Sequence, residues 1–98
     1  MFKSFKVYLG QVLDFEQVHS LLTDFGYKRQ EQVSEEGDFA RRGAIIDIFP
    51  FSFELPLRIE LEADTVTRIR RYGDAGSSDF GMLRCRSWGN RVTADAGV

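Results

Sequence analysis

Ninety-eight residues make one small domain, with room for a single core and none for a helicase motor, a polymerase or most two-lobed enzymes. A hydrophobic share of 43%, with nine phenylalanines, argues for a folded chain rather than a disordered one. The net charge of −2 excludes a molecule that binds polyanions over its whole surface.

The charge is unevenly spread. Acidic residues crowd positions 31–38, and the chain turns basic after Asp64, with Arg68, Arg70, Arg71, Arg84, Arg86 and Arg91. The single cysteine, Cys85, forms no internal disulfide, and a reducing, cytoplasmic compartment is the expectation. The amino terminus alternates lysine with apolar residues and lacks the apolar run of a signal peptide, and no segment reaches membrane-spanning length.

In chain order, 5–9 (FKVYL) alternates as a strand does, and Gly10 breaks it. A helix over 15–25 follows. Asp14 is its expected N-cap, with Gln17 completing a capping box and Leu13 and Val18 a hydrophobic staple. Phe15, Val18, Leu22 and Phe25 form its apolar stripe, with His19 on the flank. Segment 27–33 (YKRQEQV) reads as a surface strand, and 34–37 (SEEG) as a turn. Phe39 and then 44–49 continue as strand, apolar on both faces and so central and covered, apart from Asp47. On this reading Arg41 and Arg42 stand at the strand's entrance. Pro50 ends it. Segments 57–62 (LRIELE) and 66–72 (VTRIRRY) form a hairpin around Ala63-Asp64. Residues 73–81 are a loop by composition, 82–88 (MLRCRSW) a last strand, and the rest a loose tail.

The expected fold is α+β: a small, mostly antiparallel sheet with one well-capped helix packed against it. Residues 1–72 form the domain and 73–98 a variable extension.

No P-loop and no GxGxxG is present, and the lone His19 has no partners at metal or catalytic spacing. The expectation is no enzyme, no cofactor, no metal and no small-molecule substrate. Three readings of function stand side by side. Asp47, Glu60 and Glu62 on neighbouring strands are the residue types of a Mg²⁺ nuclease, but no lysine follows the glutamates. Arg68, Arg70, Arg71, Arg84 and Arg86, with Tyr72 and Trp88, make a basic, stacking surface for nucleic acid. Arg29, Arg41 and Arg42, held on strands, suit an acidic protein partner, because the guanidinium fork pairs bidentately with carboxylates. An exposed edge strand would also allow two copies to pair.

GYKR at 26–29, GDFARRGAIIDIFP at 37–50, PLRIELEAD at 56–64 and VTRIRRY at 66–72 occur in that order. Together they resemble the UvrB-interaction domain, found in bacterial transcription-repair coupling factor and as domain 2 of the excision-repair protein UvrB. YLGQVLDF at 8–15 resembles the lead-in of the coupling-factor version, and Ala40 stands where UvrB has a further arginine. The resemblance implies docking onto UvrA, the damage-recognising ATPase of nucleotide excision repair. By position it assigns UvrA contact to Arg29 and Arg42, with Arg41 adding to them or left to solvent. The alternative for Arg42 is an internal brace to a carboxylate such as Asp47. Two departures stand out: Ala63 replaces a usual turn glycine, and nothing after Tyr72 matches. The motor and polymerase-binding parts of a coupling factor are not in these residues, so the resemblance implies docking without helicase or ATPase activity.

Overall fold

The structure is a computed structural model that describes residues 2–71, 79–88 and 91–97. The elements are β1 (Phe2–Tyr8), α1 (Phe15–Asp24), β2 (Lys28–Arg29), β3 (Asp38–Arg42), β4 (Ile45–Ile48), β5 (Leu57–Glu62), β6 (Thr65–Arg71), β7 (Asp79–Phe80), β8 (Met82–Trp88) and β9 (Arg91–Gly97). The α+β expectation holds, with one helix among the described residues.

The strands form two sheets rather than the single sheet expected. One has the order β2-β3-β4-β5-β6-β7, the other β1-β8-β9. All neighbours are antiparallel except β2 and β3. The division follows from long-range pairing that no local pattern encodes: β1 runs alongside β8, matching Phe5 with Cys85 and Val7 with Leu83.

Four local expectations need correction. Strand structure in 27–33 is confined to Lys28–Arg29. The stretch from Phe39 to Phe49 is not one continuing strand but a hairpin, β3 and β4, turning at Gly43-Ala44. The tail expected to be loose contains β9, paired with β8 along its whole length. Of the predicted loop at 73–81, Asp79–Phe80 is strand, and 73–78 lie outside the described residues, as does Tyr72.

The core draws on both sheets and the helix. Val7, Leu83 and Cys85 from one sheet meet Phe39, Ile46, Ile48, Leu57, Ile59 and Ile69 from the other, with Val18, Leu22 and Phe25 of α1. Asp14 Oδ1 accepts from the Glu16 N–H at the start of α1, which satisfies one of the unpaired first-turn donors. Leu13 and Val18 are both buried, as a staple would place them.

The β5–β6 turn stores strain. Ala63 sits at φ +53°, where its Cβ crowds the following carbonyl oxygen. Ala63→Gly is expected to stabilise the chain by about 0.5–1 kcal/mol, raising the melting midpoint by roughly 3–6 °C. A lowered midpoint in thermal denaturation would contradict this account of the turn.

Tyr27 and Cys85 add a pH dependence. The Tyr27 hydroxyl receives the Phe51 N–H at 3.1 Å and lies 3.9 Å from the Cys85 sulfur. Burial pushes the Cys85 thiol up to about 12 and the Tyr27 hydroxyl well above its usual range. Both folded values are raised, so their stabilisation is complete below the unfolded values, roughly 8.5 for thiol and 10 for phenol. It is lost as pH rises toward the folded values. Urea unfolding should show stability falling above pH ~9 by about 1.4 kcal/mol per pH unit per proton. Equal stability at pH 8 and pH 10.5 would refute the burial argument.

Candidate functional site

The hairpin β3–β4 carries the arginines. Gly43 at φ +60° takes the first of its two turn positions, which suits a type II′ turn. The hairpin's other end needs glycine for two reasons. Gly37 has φ +91°, and a Cβ there would lie 2.9 Å from the Phe51 ring. Next to it, the Asp38 carboxylate is buried and accepts from Ser34 N, Ser34 Oγ and Glu35 N. One member of the acidic stretch is therefore an internal turn brace.

A two-residue turn fixes the register, and alternation along a strand sends neighbours to opposite faces. Arg41 pairs with Ile46 and shares the face of Phe39, which packs on the helix side. Arg42 pairs with Ile45 on the outer face, beside Ala40 and Asp47. Arg41 and Arg42 are thus split across the sheet at the tip of a hairpin, not side by side at a strand entrance.

On the helix side, Arg41 stacks over the Phe15 ring at 4.4 Å and Arg29 over the same ring at 5.1 Å. Such contacts stabilise a cation by about 0.5–1 kcal/mol at exposed sites. Arg41 Nε also donates to the Gly43 carbonyl at 3.2 Å. Phe15 belongs to the apolar stripe of the helix, yet it is only partly buried. It begins α1, next to the strand end where two arginines project. His19, one turn on, meets Phe39 edge-on at 5.5 Å and stays within this aromatic packing.

Arg29, Gln30, Glu31, Arg41 and Arg42 line one surface depression of about 520 Å³. None of its three arginines is in an ion pair among the described residues. The brace from Arg42 to Asp47 does not form. Arg58 takes Asp47 instead, bidentately, at 2.8 and 3.1 Å.

The later arginines are mostly engaged. Arg68 chelates Asp79 at 2.9 and 3.2 Å, and Arg70 binds Glu60 at 2.8 Å. Arg71 stacks over Phe80, and Arg86 approaches Asp95 at 3.5 Å. Arg84 stands opposite Asp95 in the register, on a different sheet from Arg68, Arg70 and Arg71. Trp88 is 63% exposed. Of the acids in the nuclease reading, Asp47 is held by Arg58 and Glu60 by Arg70, and among the described residues no cluster of three metal-type ligands forms.

Known proteins share this arrangement of sequence. The family model described as the UvrB interaction domain matches residues 5–80, so the likeness runs past Tyr72, where the sequence motifs end. The chain belongs to the UvrB interaction domain family. It is 41% identical over 66 residues to the transcription-repair-coupling factor of Bacillus subtilis, a match covering 67% of this chain and 6% of that protein. It is 38% identical over 61 residues to that of Escherichia coli, covering 62% of this chain and 5% of the relative. It is 44% identical over 64 residues to that of Staphylococcus aureus, covering 65% and 5%. The chain thus spans only about a twentieth of these relatives' length. The family match includes β2 through β7, and so the whole arginine rim of this UvrB interaction domain.

Proposed function

We propose that this UvrB interaction domain is a protein-docking module of bacterial nucleotide excision repair and transcription-coupled repair, and that its partner is UvrA. Arg29 and Arg42 contact acidic residues of UvrA, and Arg41 adds to them. These residues act by binding alone, without helicase or ATPase activity. The observation that carries this reading is the contrast between two arginine groups. Those on β6 are held by carboxylates or an aromatic ring of this chain, whereas Arg29, Arg41 and Arg42 surround a depression with no internal carboxylate partner among the described residues. Stacking on Phe15 supports it further, since a guanidinium already restrained loses less entropy on binding.

A cellular experiment tests the proposal. Excess chain should compete for UvrA and sensitise bacteria to ultraviolet light, and unchanged survival in cells that accumulate the chain would count against it. Duplex DNA provides the contrast. A surface making several phosphate contacts would bind DNA with a steep salt dependence, whereas this docking module is expected to show almost no DNA binding in a low-salt gel shift.

A further inference from the structure

The backbone at the arginine rim has an open edge. β2 pairs only with Asp38 and Phe39, and its last link is the Gln30 N–H donating to the Phe39 carbonyl at 2.8 Å. Beyond it, the 30–33 segment is not strand. The two-residue turn directs the backbone groups of Arg42 and Ala40 toward β4. Phe39 and Arg41 therefore face the other way, toward the β2 side. Phe39 finds Gln30 there. Among the described residues, no backbone bond joins Arg41 to the 30–33 segment. The 520 Å³ depression lies at this place, with Arg29, Arg41 and Arg42 around it.

We propose that the partner docks here by strand addition. An extended acidic segment pairs with the Arg41 backbone and continues the sheet where β2 leaves off. This rests on the docking reading and names its mode. An unpaired strand edge is a template for another strand, and main-chain bonds supply affinity while alternate side chains supply specificity. Successive residues of an added strand point to opposite faces. Two adjacent carboxylates would therefore divide as the arginines do, one toward Arg29 and Arg41 on the helix side and the next toward Arg42 on the outer face. Glu31 shares the rim, so the acidic positions must lie on the β3 side of the depression. A second copy of this chain is a poorer occupant: its β1 edge would bring Lys3 and Lys6 against three arginines, and on its β9 edge Asp95 already lies 3.5 Å from Arg86 of its own chain.

Amide exchange at Arg41 tests the mode, in the free chain and in its complex with UvrA. Arg41 should exchange at least about tenfold more slowly in the complex, while Ala40 and Arg42, bonded to β4, stay protected in both. An amide-to-ester change at Arg41 removes the N–H and keeps every side chain. It is expected to weaken binding by about tenfold without changing the fold. Saturable binding with Arg41 exchange and ester affinity unchanged would overturn strand addition and leave docking standing. Absence of binding by the unaltered chain would overturn both.

Discussion

Asp47→Ala is expected to lower the stability of the chain by about 3 kcal/mol, measured by urea unfolding. Asp47 is 7% exposed in the middle of the six-stranded sheet, and both of its oxygens are held by Arg58. Removing the carboxylate leaves a guanidinium 16% exposed without its bidentate acceptor. Breaking a buried pair from one side costs about 3–5 kcal/mol, and the partial exposure of Arg58 places this one at the lower end. For a domain with about 5–15 kcal/mol in total, that is a large fraction. Replacing both partners, as Asp47→Leu/Arg58→Leu, should recover most of the loss, because the bidentate pair is then removed from both sides. A loss under 1 kcal/mol from Asp47→Ala would mean that the pair is solvated, as the exposed Arg68–Asp79 pair is. The folded fraction of Asp47→Ala should bind UvrA normally, since Asp47 is a brace in this account and not a contact.

The converse result is expected at the rim. Arg29→Glu/Arg42→Glu should lower stability by no more than about 1 kcal/mol, the stacking of Arg29 on Phe15, because both side chains are exposed and outside every ion pair among the described residues. Its effect on UvrA binding should be at least about 100-fold. Truncating one member of a buried interfacial charge pair costs about 2–5 kcal/mol, and reversal adds repulsion. Arg68→Glu is the control. It breaks an exposed pair with Asp79 and should leave UvrA affinity unchanged.

What the sequence made legible was local and periodic. The helix with its N-cap aspartate and the β5–β6 hairpin follow from spacing within a few residues, whereas the strain at Ala63 shows only in its φ of +53°. The β3–β4 turn was missed because Gly43-Ala44 joins an arginine pair to an isoleucine run, and the apolar run masked the punctuation. A glycine opening a two-residue loop was the available signal. β9 was missed because its small residues gain their partial burial from β8, a pairing that composition does not carry. The arginines of the site were legible from the ordered motif, but their geometry was not. Phe15 matched the helix stripe, and only the two-residue length of β2 leaves it meeting Arg29 and Arg41 at the sheet edge.

The most direct test of the central claim is a calorimetric titration of UvrA with this chain, run beside Arg29→Glu/Arg42→Glu with circular dichroism showing that the variant is folded. The account predicts saturable binding by the unaltered chain and its loss in the variant. Binding that survives the double reversal would contradict the assigned rim. No binding by the unaltered chain would contradict the docking role itself.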